Sequence, residues 1–157
     1  MSTALVIIGD ANAGKSTWIG HLSGLPRAGT TNLTLQNGQR VGAHVEISAL
    51  QEQHTYPDDF CTFISRAGAP YTLFPLRVAG IGRKGGHHDE YYPDADTYLS
   101  HFVEQGWTIV AVVLPKASDR APFNTAGVTL HRFTGSQPTL QEFKDQLGLS
   151  VSAALPA

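Results

Sequence analysis

Residues Gly9 to Ser16 read Gly-Asp-Ala-Asn-Ala-Gly-Lys-Ser, two glycines bracketing a short loop and followed at once by a lysine and a hydroxyl. The chemistry open to that spacing is anion binding. Glycines let successive backbone N–H groups turn toward one point, and a helix starting at the lysine adds the positive end of its dipole. The ammonium group supplies a full charge. Lys15 would reach the β- and γ-phosphates of a nucleotide, and Ser16 would offer its hydroxyl to Mg²⁺, which prefers hard oxygen ligands. Gly9, Asn12, Ala13, Gly14, Lys15, Ser16 and Thr17 are the candidate nucleotide-binding residues, with Ser16 the candidate metal ligand. ATP or GTP with Mg²⁺ is the expected cofactor set.

Such a loop works only between a strand and a helix. Ala4-Leu5-Val6-Ile7-Ile8 before it is an apolar run of buried-strand type, and Ser16 to Leu22 after it suits a helix ended by Gly24 and Pro26. Leu33 and Leu35, then Val41, Ala43, Val45 and Ile47, alternate with polar residues around Asn37-Gly38, which predicts a hairpin. Pro57-Asp58-Asp59 opens a helix with Phe60, Phe63, Ile64 and Ala67 on one face and Gly68 as its stop. Leu73 to Ile81 reads as strand, with Pro75 demoting its first half to an edge or entry segment. Gly80 to Asp89 reads as a basic, Gly- and His-rich loop, and Pro93-Asp94 begins another helix. Trp107 to Leu114 is a nearly continuous apolar run of the kind parallel sheets bury on both faces. Val128 to Phe133 is a shorter strand, and Thr139-x-x-Glu142 is a capping box for the last helix. Alternating strands and helices predict an α/β fold: a three-layer sandwich with a mostly parallel sheet and a β-hairpin after the first helix. One domain is expected over 1–149, with a frayed tail over 150–157.

Composition narrows the partners. A 157-residue chain with net charge −2 has no global attraction to nucleic acid or anionic membrane. The single Cys61 permits no internal disulfide, and Ile109 to Leu114 is far too short to span a bilayer. A cytoplasmic protein that does not engage membranes is expected.

The rest of the chain offers parts for phosphoryl transfer, which needs positive charge on the migrating group and an oriented acceptor. Arg83-Lys84, or Lys116 with Arg120, could close over the phosphates, and Asp89 beside Glu90 could orient or deprotonate an acceptor hydroxyl. Lys15, Asp89, Arg83 and Arg120 are the candidate catalytic residues. The same residues have plainer explanations: solvated loop charges for Arg83 and Lys84, and a favourable helix-dipole position for Asp89 and Glu90. Asp94 and Asp96 suit a helix first turn, and His87-His88-Asp89 lacks a fourth ligand for a metal site. No carboxylate closes an apolar strand to hold Mg²⁺; Asp89, Asp58 or Asp59 would have to reach in from a loop, or Ser16, phosphates and water would hold it alone.

At these residues the chain resembles the P-loop NTPase superfamily, which implies the three-layer P-loop NTPase sandwich. Its first half resembles translation-factor-type GTPases, through Asn12-Ala13-Gly14-Lys15-Ser16-Thr17, Leu22-Ser23-Gly24 and Gly29-Thr30-Thr31 before a hairpin. Against that likeness, Ile47-Ser48-Ala49-Leu50 stands where that family has Asp-x-x-Gly, and Pro115 replaces the Asn of its guanine-reading motif. The alternative resemblance is to small nucleoside- or nucleotide-kinase-like proteins. Gly85-Gly86-His87-His88-Asp89 before a helix is similar to a turn in phage kinases acting on modified bases in DNA. Together these imply a kinase-type phosphotransferase that moves the γ-phosphate of ATP or another NTP to a nucleoside, nucleotide or modified DNA base. The alternative is a GTPase-like switch or nucleotide-binding adaptor that recruits a protein partner.

Overall fold

The computed structural model describes residues 2–10, 13–85, 88–115, 127–134 and 138–150, leaving out the side chains of 82–85 and 88–91. In chain order the elements are β1 (Thr3–Gly9), α1 (Lys15–Ser23), β2 (Gly29–Thr34), β3 (Arg40–Val45), α2 (Pro57–Ala67) and β4 (Tyr71–Arg77). Then follow β5 (Ile81–Gly85), β6 (His88–Tyr92), α3 (Ala95–Glu104), β7 (Thr108–Val113), β8 (Val128–Arg132) and α4 (Leu140–Leu147). Six strands form one sheet in the order β2-β3-β4-β1-β7-β8, parallel throughout except for the antiparallel β2–β3 hairpin. The expected α/β class, mostly parallel sheet and hairpin after the first helix are all present.

Side chains of β1 explain why helices cover both faces. Residues alternate in direction along a strand, so Ala4, Val6 and Ile8 join Phe60, Ile64, Tyr98, Leu99 and Phe102 from α2 and α3. Leu5 and Ile7 join Ile19, Leu22, Phe143 and Leu147 from α1 and α4 on the other face. Helix ends follow their local chemistry. The Asp94 carboxylate accepts from the Thr97 N–H, and Thr139 with Glu142 completes the expected capping box.

Two expectations need correction. Pro75 lies within β4, which sits between β3 and β1 and pairs Pro75 with Ile7. It is tolerated because β3 stops short: their ladder covers Ala43–Val45 against Tyr71–Leu73, and the Glu46 N–H then donates to the Leu73 carbonyl at 2.9 Å. Residues two apart face the same side, so the N–H that Pro75 lacks would point beyond the end of β3. Two residues further on, a side chain stands in for the missing strand. The Arg77 N–H donates to Gln51 Oε1 at 3.0 Å, and Gln51 Nε2 donates to the Arg77 carbonyl at 2.9 Å.

The segment read as a loop over Gly80 to Asp89 contains most of a two-stranded ribbon. β5 and β6 are antiparallel, with Arg83 opposite Glu90 and Lys84 opposite Asp89. Glycines and charges hide the period-2 pattern on which a strand assignment relies. At the foot of the ribbon, buried Tyr92 stacks between His54 and Tyr56, with ring centroids 5.1 and 4.6 Å away. Tyr98 ties the same region down by donating its hydroxyl to the Thr55 carbonyl at 2.6 Å. Of the expected tail, the described part begins along β2: Ser150 N–H donates to the Thr34 carbonyl.

Gln51 is fully buried, so Gln51→Leu strands an N–H and a C=O at the end of β4. We expect a loss of about 2–3 kcal/mol in urea unfolding, the cost of unsatisfied buried polar groups. A loss below about 0.5 kcal/mol, the range of an ordinary surface change, would contradict the strand-substitute role.

Candidate nucleotide-binding site

The sheet itself selects a place for a ligand. The chain leaves β1 toward β4, β3 and β2, whereas β7 leads to β8 on the opposite side. In open parallel sheets the crevice at the carboxyl ends of two such strands is where ligands bind. The Gly9–Ser16 loop follows β1 at this edge, and α1 begins from it. A Cβ on Gly9 would lie 3.0 Å from Leu114 Cδ1 and 3.2 Å from the Ala13 Cβ, so side-chain-free backbone is needed where the loop passes β7. Gly14, the N-cap of α1, has φ 90°, a left-handed conformation that a side chain would strain.

Because the N-cap is a glycine, no side chain caps α1, and its first turn contains no acidic residue. Its opening N–H groups thus have no side-chain cap, in contrast to the capped starts of α3 and α4. Lys15 is buried, and its Nζ donates to the Asp10 carbonyl at 2.7 Å, closing the loop on itself. Ala13 N–H donates to the same carbonyl at 3.2 Å. Burial pushes the Lys15 amine below its ordinary value; Arg77 acts in the same direction, while Glu52 and Asp10 oppose it.

Ala13, Gly14, Lys15, Ser16 and Thr17, with Glu52, line a cleft of about 290 Å³. Sequence reading missed Glu52, which belongs to no periodic segment, and also missed Arg77. Arg77 pairs in register with Gly9 at the end of β4, and its Nη1 lies 4.0 Å from Glu52 Oε2. A charge closing the apolar run Leu73–Leu76 at a carboxyl strand end was the available signal.

The other expected site residues are distributed as follows. Asn12 and Arg120, with Lys116, lie outside the described residues. Arg83 and Asp89 occupy the β5–β6 ribbon, which leaves the sheet from the same edge just after Arg77, but their side chains are outside the description. Asp58 and Asp59 are exposed in the first turn of α2, where they favour the helix dipole. Cys61 is pushed up to about 11 by burial, helped by Asp58, so it stays protonated and poorly nucleophilic.

Mg²⁺ fits the donors present. Among the described residues no three His, Cys, Asp or Glu side chains gather into a metal cage. A hydroxyl and a carboxylate, Ser16 and Glu52, do line one cleft. Mg²⁺ keeps several waters and takes substrate phosphate oxygens, so one or two protein oxygens suffice. No family model, no curated protein and no solved structure matches the chain.

Burying Lys15 has a pH signature. With the folded pKa below the unfolded 10.5, the unfolded chain binds more protons between those two values, and stability rises with pH across that window. Lys15→Met removes the buried charge, so the variant should be at least as stable as the parent at pH 7. Its advantage should shrink as pH approaches 10.5. Urea unfolding from pH 7 to 10 checks this; a difference independent of pH would contradict a desolvated amine.

Proposed function

We propose that this chain is an NTP-binding phosphotransferase of the P-loop kinase type, built on the three-layer P-loop NTPase sandwich. It would move the γ-phosphate of ATP or another NTP to a hydroxyl on a nucleoside, nucleotide or modified DNA base. The observation that carries the reading is a single cleft: the uncapped start of α1, the buried Lys15, the Ser16 hydroxyl and Glu52, at the switch point of a parallel sheet. Backbone N–H groups and Lys15 would grip the β- and γ-phosphates. Bound Mg²⁺ would neutralise charge shared between those phosphates, with Ser16 and Glu52 as its protein oxygens.

In the reaction the acceptor oxygen bonds to the γ-phosphorus, the bond to the β,γ-bridging oxygen breaks, and the nucleoside diphosphate departs. The acceptor proton passes to a carboxylate, for which Asp89 on the ribbon is the candidate. Arg83 and Arg120 remain candidates for stabilising the migrating charge. One observation favours a second reading, the GTPase-like switch or adaptor: the hairpin after α1 puts Thr30 and Thr31 on the sheet's edge strand, where nucleotide could order them for a protein partner.

Calorimetry with Mg·ATP and Mg·GTP should show binding with little preference for guanine. Lys15→Ala should weaken it by roughly 10–100-fold, the worth of a charge-assisted hydrogen bond. ATP labelled at the γ-position, offered with nucleosides and DNA duplexes, should pass label to an acceptor, and Asp89→Asn should slow transfer more than it weakens binding. Label found only as free phosphate would favour a hydrolase. A strong preference for GTP would favour the switch, and no binding of either nucleotide would remove both readings.

A further inference from the structure

Arg77 is held in an unusual way. Its backbone N–H and C=O are both clasped by Gln51, while its side chain faces the next residue, Glu52. One short segment after β3 therefore pins the position of Arg77 and also supplies its counter-ion. The side-chain pairing is loose: 4.0 Å between Nη1 and Oε2, with the two side chains 27% and 37% exposed. Nε of Arg77 is buried and has no hydrogen-bond partner among the described residues. The fold has thus fixed the backbone at the root of this guanidinium without committing its donors.

Position gives those donors a target. A nucleotide entering the crevice between β1 and β7 lays its polyphosphate over the loop that follows β1, and β4 lies on the far side of β1 from β7. Arg77, level with Gly9 on β4, and Glu52, which lines the cleft with Ser16, are then at the end that a terminal phosphate would reach. A long, hydrated ion pair is weakly held. A phosphate offers a guanidinium two parallel hydrogen bonds and more charge than a single carboxylate does.

We infer that Arg77 and Glu52 form an exchange pair that reads the terminal phosphate: Glu52 holds the guanidinium at rest, and a γ-phosphate displaces it. The inference rests on the nucleotide-binding reading of the cleft and adds the residue that tells triphosphate from diphosphate. Gln51 keeps the backbone of Arg77 in place during the exchange, so the change is confined to two side chains.

Calorimetry with ATP and ADP, each with and without Mg²⁺, tests it on the intact chain. The parent should bind ATP about tenfold or more tighter than ADP. Arg77→Gln should bring that ratio to within about twofold while leaving ADP affinity within about twofold of the parent. Arg77→Lys, which keeps the charge and loses the fork, should restore only part of the preference. Glu52→Gln removes the resting competitor, so without Mg²⁺ ATP should bind about three- to tenfold tighter, and by a larger factor than ADP. Melting curves establish that each variant folds, and if Arg77→Gln does not fold, Arg77→Lys carries the comparison. An unchanged ATP-to-ADP ratio in the Arg77 variants overturns the exchange pair. If Lys15→Ala meanwhile weakens binding of both nucleotides by roughly 10–100-fold, the reading of the cleft survives that failure. Absence of binding to the parent chain removes the cleft reading and the exchange pair with it.

Discussion

A charged amine taken out of water is the constraint around which the carboxyl edge of this sheet is arranged. Lys15 is 5% exposed, and among the described residues its amine donates to the backbone carbonyl of Asp10 in its own loop. A single carbonyl replaces little of the hydration an ammonium loses, which is why burial depresses its basicity. The surrounding choices follow from tolerating this. Gly14 takes a left-handed turn so that α1 can begin at Lys15, and an uncapped helix start is left beside the amine. The buried amine and the uncapped helix start each cost stability, and each would be offset by the anion of the proposed function. Polar groups that break the usual pairing rules at one point are characteristic of a functional site.

The second organising fact is the order β3-β4-β1. Inserting β4 between the hairpin and β1 carries Arg77 to the side of Gly9, and the early end of β3 leaves room for the segment after it to fold over β4. Gln51 then completes the ladder with its side chain, a substitution that works because a primary amide has the same donor and acceptor as a peptide group. Pro75, which would disrupt a fully paired central strand, is harmless at the one stretch where the neighbouring strand is missing. The irregular edge thus serves two ends: it accommodates the proline, and it delivers Glu52 to the cleft.

What could be read from the residues alone follows from how local the signals are. The β1 and α1 segments flanking the Gly9–Ser16 motif, the Asn37-Gly38 hairpin, the Pro57 entry to α2 and the Thr139–Glu142 box each depend on one short stretch of contiguous chain, and all stand in the structure as expected. The β5–β6 ribbon escaped because glycines at 82 and 85 and charges at 83 and 84 leave no alternation to detect. Within the candidate site, the half made by Gly9 to Ser16 lies in one contiguous motif and was legible. The half made by Glu52 and Arg77 comes from two segments 25 positions apart, brought together only by strand order and by the Gln51 clasp. No periodicity or motif encodes that approach.

Charge in the cleft bears on which form of nucleotide it suits. Lys15 and Arg77 bring two positive charges, and Glu52 and Asp10, both of which act on the Lys15 amine, bring two negative ones. These formal charges cancel, which leaves the positive end of α1, on the order of half a charge, as the local excess. A bare triphosphate would meet little net attraction there, and the chain's overall charge of −2 opposes it at long range. A metal-complexed triphosphate carries less charge, and its cation would find in Glu52 and Ser16 the oxygen donors that line the cleft. On the proposed function, the carboxylate beside this loop would therefore make the balance suit a nucleotide carrying its own cation over phosphate groups in general.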